Sequence, residues 1–303
     1  MKKLSSAFLF LFLLNVSSIQ AQILREYIGA HNIPTARTDM NIGDFNGDGF
    51  LDMIVPSNPY PLALNDGTGH FFQDYSMEIE ELGIGSYISK VGDLDGDGDL
   101  DLVTATGLAT SGAASKSVKI YFNDGLGNLI LDNDQILQGL ADGDLEIADI
   151  NQDGHLDIFH TGVLTGPMRT YFYLNDGNGQ FTLETQEGLI AMCEGDAALN
   201  DINGDGAPDL IITGVTMFET DDLYSTQNAY YYINNGEGYF EKDTLFDIPN
   251  VVYAYVGVVD IDQDNDEDLV LLKPSNNNAY PATLFLNNGS GKFNDSIDLP
   301  VSI

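Results

Sequence analysis

Residues 85–101 read Gly85-Ser-Tyr-Ile-Ser-Lys-Val-Gly-Asp-Leu-Asp-Gly-Asp-Gly-Asp-Leu-Asp101, a short apolar stretch running into a nine-residue loop that begins and ends in aspartate. The loop recurs as Asp44-Phe-Asn-Gly-Asp-Gly-Phe-Leu-Asp52, Asp149-Ile-Asn-Gln-Asp-Gly-His-Leu-Asp157, Asp201-Ile-Asn-Gly-Asp-Gly-Ala-Pro-Asp209 and Asp260-Ile-Asp-Gln-Asp-Asn-Asp-Glu-Asp268. Successive first aspartates lie 49, 56, 52 and 59 residues apart. A second motif follows each loop: Asn65-Asp-Gly-Thr-Gly, Asn123-Asp-Gly-Leu-Gly, Asn175-Asp-Gly-Asn-Gly, Asn234-Asn-Gly-Glu-Gly and Asn287-Asn-Gly-Ser-Gly. A repeat of this period means that one supersecondary unit is copied along the chain.

The unit is β throughout. Each loop leads into an apolar run of strand length without helical spacing, at Leu51 to Val55, Leu100 to Thr104, Leu156 to Phe159, Leu210 to Thr213 and Leu269 to Leu272. The Asn-Asp-Gly and Asn-Asn-Gly turns tolerate the positive φ of a tight hairpin, and the strands after them open with Phe71, Leu129, Phe181, Phe240 and Phe293. Strand A, acidic loop, strand B, variable loop, strand C, glycine-rich hairpin and strand D make a four-stranded propeller blade. The fold class is therefore all-β, a β-propeller of about five four-stranded blades.

Oxygen side chains at positions one, three, five and nine of a short loop can wrap one hard cation, with position seven offering its carbonyl. The candidate ligands are Asp44, Asn46, Asp48, Phe50 and Asp52 in the first loop and Asp93, Asp95, Asp97, Asp99 and Asp101 in the second. In the third they are Asp149, Asn151, Asp153, His155 and Asp157, and in the fourth Asp201, Asn203, Asp205, Ala207 and Asp209. The fifth offers Asp260, Asp262, Asp264, Asp266 and Asp268. Residues at position seven share only a backbone carbonyl, so the side chain there is expected to be irrelevant to the metal. Position six is Gly in four loops and Asn265 in one, both suited to a left-handed turn. An EF-hand would need Glu at position twelve, where Val55, Thr104, His160, Ile212 and Leu271 stand. The oxygen-rich set favours Ca2+, about five ions with a structural role, over magnesium or a transition metal.

These units resemble FG-GAP or VCBS-type repeats, as in the integrin alpha-subunit propeller, with residues 85–101 the closest match. The resemblance implies a calcium-loop propeller over essentially all of residues 22–303, taken as a single domain. Two features depart from it. The Gly-Ala-Pro expected after strand B is replaced by Pro-Ser, Thr-Gly or Lys-Pro, and the family closes rings of more blades than the five loops here. Ile23 to Pro34 resembles the stretch ending Asp247-Ile-Pro, and so stands as an outer strand completing a ring or as the cut end of a longer array.

Composition narrows the function. Lys plus Arg number 11 against 47 Asp plus Glu, a net charge of -36, which sets nucleic acid aside because phosphates need clustered cations. Of those 47 acids, 17 occupy ligand positions one, three, five and nine. The lone Cys193 excludes an internal disulfide framework and reads as a small core residue. Lys2 and Lys3 before the apolar run Ala7 to Leu14 predict a Sec-type signal peptide, residues 1–21, and a secreted, cell-surface or periplasmic protein. No later run approaches the ~18 apolar residues of a membrane span.

Loops between strands B and C vary as binding loops do, carrying Tyr60, Ser111 to Ser117, Met168 and Arg169, Met217 to Tyr224, and Asn276 to Tyr280. Arg169 is expected in a salt bridge on the acidic surface. His70 and His155 fall in turns, and His160 is expected to end a strand. The leading expectation is an extracellular binding or adhesion module for a protein or glycan, with no catalytic residue assigned. The alternatives are a polysaccharide lyase or glycosidase on the same scaffold, or a structural fragment that associates through an unpaired edge.

Overall fold

The computed structural model describes residues 40–55, 62–74, 88–106, 112, 116–216, 226–244, 254–272, 282–293 and 295–299. The segment expected to be a signal peptide, the stretch Ile23 to Pro34, Tyr60, Met217 to Tyr224 and Asn276 to Tyr280 lie outside them. The fold is all-β, of the propeller class, with five antiparallel blades whose strands are hydrogen-bonded in sequence order.

The chain falls into two compact units, Met1–Ala141 and Asp142–Ile303. In the first, blade 1 comprises β1 (Asn41–Gly43), β2 (Asp52–Ile54), β3 (Leu62–Asn65) and β4 (Phe71–Gln73). Blade 2 comprises β5 (Ile88–Gly92), β6 (Asp101–Thr106), β7 (Ser117–Asn123) and β8 (Leu129–Leu131), with the short β9 (Leu137–Gln138) also paired to β7. In the second unit, blade 3 runs from β10 (Ala141–Ala148) through β11 (Asp157–Val163) and β12 (Met168–Asn175) to β13 (Phe181–Glu184). Blade 4 contains β14 (Ala197–Asn200), β15 (Asp209–Thr216), β16 (Thr226–Asn234) and β17 (Phe240–Lys242). Blade 5 contains β18 (Tyr255–Val259), β19 (Asp268–Leu272), β20 (Ala282–Leu286) and β21 (Asp295–Leu299).

The second strand of each blade is buried on both faces, and β15, with Leu210, Ile211, Ile212 and Val215 among its residues, is buried at all eight positions. Neighbouring blades share their cores. Phe45, Ile54 and Leu62 of blade 1 pack with Leu102, Tyr121 and Leu129 of blade 2. Ile150, Phe159 and Phe172 meet Ile212, Tyr232 and Phe240 between blades 3 and 4, where the Phe172 and Phe240 rings stack with centroids 5.3 Å apart. Ile202, Ile211 and Tyr231 meet Leu269, Leu271 and Phe285 between blades 4 and 5. Position two of the first four loops, Phe45, Leu94, Ile150 and Ile202, is buried in every case.

Blades 3 and 4 also carry a motif that the sequence reading did not single out, Asp142-Gly-Asp144 and Glu194-Gly-Asp196. Asp142 and Glu194 both adopt φ 53°, and the glycines have no room for a Cβ, which would lie 1.7 Å from the Thr161 carbonyl oxygen and 1.8 Å from that of Thr213. The aspartates then staple each blade to the next. Asp144 Oδ2 accepts from Ala197 N, and Asp196 Oδ2 from Val256 N, each at 2.8 Å.

Several local expectations change. Met168 and Arg169 open β12 instead of lying in a loop, because the reversal is confined to a turn closed by Leu164 N donating to the Pro167 carbonyl at 3.0 Å. Arg169 Nη1 donates to the Met168 carbonyl at 2.9 Å. His160 lies inside β11, fully buried, with Nδ1 donating to the Asp144 carbonyl at 2.8 Å, so the strand continues past it to Val163. The last outer strand begins at Asp295, beyond Phe293. Cys193 is buried and bridges Val215 through its backbone, as a small core residue should. Among the described residues no helix is long and apolar enough to cross a membrane.

Position two acts as a wedge between blades, so Ile150→Ala should cost about 2–5 kcal/mol through the cavity it leaves. Chemical denaturation of the variant checks this.

Candidate metal centre

Each acidic loop folds back on its own carboxylates. Asp44 Oδ1 and Oδ2 accept from Asp48 N and Gly49 N at 3.1 and 2.8 Å. Asp149, Asp201 and Asp260 receive the equivalent N–H groups of their own loops, and Asp93 receives those of Gly96 and Gly98 at positions four and six. Position five does the same one step later, with Asp48, Asp97, Asp153, Asp205 and Asp264 each accepting from the N–H of position seven. The side chains therefore turn inward while the backbone coils around them.

Position six is left-handed in every loop, from φ 70° at Asn265 to 96° at Gly98. Position four is left-handed as well, and there non-glycine residues occur: Gln152 at φ 57° and Gln263 at φ 65°.

Position nine is the deepest carboxylate. Asp52, Asp101, Asp157, Asp209 and Asp268 are all buried. In four loops one oxygen accepts the N–H of position two, from Phe45, Leu94, Ile150 and Ile261, at 2.8 to 3.1 Å. The other accepts the N–H of the hairpin asparagine in all five blades, from Asn65, Asn123, Asn175, Asn234 and Asn287, at 2.8 or 2.9 Å. In the fourth loop the Tyr231 hydroxyl takes the free oxygen of Asp209 at 2.7 Å. Burial pushes Asp101, Asp157 and Asp209 up to about 6, and Asp52 in the same direction, against the lowering effect of the donated hydrogen bonds.

The hairpin asparagine is the residue that sequence reasoning undervalued. Its side-chain amide donates to the position-eight carbonyl of its own blade, at Leu51, Leu100, Leu156, Pro208 and Glu267. In three blades it also reaches the position-two carbonyl of the preceding blade: Asn123 to Phe45, Asn234 to Ile150 and Asn287 to Ile202, at 2.7 to 2.9 Å. The five-fold repetition of Asn at one place was the available signal, but it reads equally well as turn preference.

Position seven has a packing role beyond its carbonyl. The rings of Phe50 and His155 cover Gly67 and Gly177, and the carboxylates of Asp99 and Asp266 lie over Gly125 and Gly289, leaving no room for a Cβ on the first three of these glycines.

Three carboxylate oxygens converge to within 4.8 Å of one another in two loops, from Asp93, Asp95 and Asp101 and from Asp260, Asp262 and Asp268. Burial and then repulsion from Asp97 and Asp93 raise Asp95; burial and then Asp264 raise Asp262. Asp266 climbs to about 6 through burial and repulsion by Asp264 and Asp268, and its Oδ1 is buried without a hydrogen-bond partner. Clustered, partly desolvated carboxylates are a donor set suited to a hard cation.

A fold of four-stranded blades, each with an acidic loop between its first two strands, defines a repeat propeller. The FG-GAP-like repeat model matches residues 44–104, 93–160 and 201–271, more than half of the chain, and the protein belongs to that family. No curated protein matches the chain. Among solved structures the chain is similar to two complexes of a variant Aleuria aurantia lectin, one with Fucα1-6GlcNAc and one with α-methyl-L-fucoside. Both share 8% identity over 89% of this chain, with TM-scores of 0.48 and 0.47 over 83% and 82% of the lectin.

Truncating Asn234 to Ala strips the partners from two carbonyls and one N–H at a buried junction. The expected loss is roughly 2–4 kcal/mol in urea unfolding, against less than about 0.5 kcal/mol for Asn128→Ala on an exposed hairpin.

Proposed function

We propose that the protein is an exported, calcium-stabilised propeller that binds an extracellular protein or glycan. The observation that carries the calcium reading is the convergence of carboxylate oxygens from Asp93, Asp95 and Asp101, and from Asp260, Asp262 and Asp268, to within 4.8 Å of one another. Residues at positions one, three, five and nine of each loop would hold the ion, with the carbonyl of position seven. A bound Ca2+ supplies positive charge that offsets the cost of desolvating and crowding these carboxylates. The residues do the rest: the position-nine aspartate ties loop to hairpin, the asparagine ties hairpin to the previous blade, and rigidity at the loop reaches the blade contact.

Export is supported by Lys2, Lys3 and the apolar run Ala7 to Leu14. A binding role is supported by the variable B-to-C loops on a rigid scaffold.

A site held at a hundred times its Kd adds about 2.7 kcal/mol. Chelation should accordingly lower the melting temperature by ~10 °C or more, and identical melting curves in EDTA and in calcium would refute the stabilising role. Asp97→Ala should remove one ion from the stoichiometry, leave the other four, and lower the calcium-loaded melting temperature by a few degrees, roughly 2–4 °C per kcal/mol lost. Pull-down on a glycan and surface-protein array should recover a partner in calcium and lose it in EDTA; a partner retained in both would separate binding from the ions.

A further inference from the structure

The five loops are built alike but not charged alike. Loop 2 contains five acids, Asp93, Asp95, Asp97, Asp99 and Asp101, and loop 5 contains six, Asp260, Asp262, Asp264, Asp266, Glu267 and Asp268. Loops 1, 3 and 4 contain three each, at positions one, five and nine. The difference begins at position three, which is Asp95 and Asp262 in the richer loops and Asn46, Asn151 and Asn203 in the others.

The amides also alter the geometry. Asn46 Nδ2 donates to Asp48 Oδ2 at 3.0 Å, and Asn151 Nδ2 to Asp153 Oδ2 at 2.9 Å. An internal donor thus already occupies an oxygen of position five. In loop 4 the comparable donor is the Tyr231 hydroxyl, 2.7 Å from Asp209 Oδ2, with Asn203 Nδ2 3.5 Å from Oδ1. Loops 2 and 5 have a carboxylate where that amide stands, so position three can only accept. In each, three carboxylate oxygens converge to within 4.8 Å of one another, and the donors to Asp93, Asp95 and Asp260 are backbone N–H groups of the same loop.

Ligand charge count is one of the two quantities that tune a calcium loop over orders of magnitude, the other being rigidity. A cation entering loop 2 or 5 meets an additional carboxylate and displaces no amide. A cation entering loop 1 or 3 must break the Asn-to-Asp bond, and in loop 4 it competes with a buried tyrosine.

We propose that the loops form two affinity classes, loops 2 and 5 filling first and loops 1, 3 and 4 only at higher calcium. This rests on the calcium reading above. The tight sites fall one in each compact unit, in blades 2 and 5. At low calcium each unit is therefore pinned at a single blade, and blades 1, 3 and 4 stiffen as the concentration rises.

Calorimetric titration of the chelator-stripped full chain with calcium tests this. Two tight sites and three weaker ones are expected, separated by about tenfold or more in Kd. Asp95→Asn, which gives loop 2 the position-three residue of loop 1, should reduce the tight class from two to one. Asn46→Asp should raise it to three, and as a gain of binding it cannot be produced by misfolding. One class of five equal sites, or a tight class unmoved by both substitutions, would overturn the two-class proposal and leave the calcium reading standing. No calcium binding at all would overturn both.

Discussion

A buried carboxylate at the head of every second strand is the constraint on which the repeat depends. Asp52, Asp101, Asp157, Asp209 and Asp268 each sit out of water at a junction of two chain segments. Desolvation works against their charge, and it is tolerated because backbone N–H groups converge on both oxygens. One N–H comes from the hairpin, and in four blades the other comes from the loop itself. Removing the charge would orphan those donors; removing the donors would strand the charge. The strand, the loop and the hairpin therefore hold their relative positions together or not at all.

Outward from that point the structure is a chain of dependencies. The aspartate fixes the hairpin asparagine through its backbone, which leaves the asparagine side chain free to act elsewhere. That side chain spans position eight of its own blade and position two of the one before. Position two is also where an apolar side chain enters the core shared by two blades, as Ile150 does between blades 3 and 4. An acidic loop and a core that excludes water are thus two ends of a single dipeptide: in blade 3, Asp149 faces the loop and Ile150 the core.

Much of this was legible in the chain. The acidic loops, the hairpins and the apolar runs between them gave the strand order, because aspartate at fixed odd positions and glycine at left-handed ones have few structural uses. Other features were hidden for identifiable reasons. An asparagine before Asp-Gly is so strongly favoured by turn geometry that its bond to the neighbouring blade leaves no separate trace. Gln152 and Gln263 adopt positive φ without being glycine, since the surrounding loop over-determines their backbone. Position seven looked free because Phe50, Asp99, His155, Ala207 and Asp266 have no common chemistry. Four of them nevertheless lie over a hairpin glycine, and it is the glycine that is constant. Asp142-Gly-Asp144 and Glu194-Gly-Asp196 occur in only two blades, too few copies to stand out beside motifs present in all five.

The asparagine bridge has an implication for how such a molecule can change over time. Blade 4 carries both halves of the fastening, an amide that reaches backward to Ile150 and a carbonyl, that of Ile202, that receives from ahead, and the receiving group is main chain. Any unit can in principle follow any other, whatever side chain occupies position two, so long as it is apolar. Duplication or loss of a whole unit would leave every remaining fastening intact, whereas a change of a few residues within one would break two of them. The architecture is therefore tolerant of altered copy number and intolerant of altered spacing.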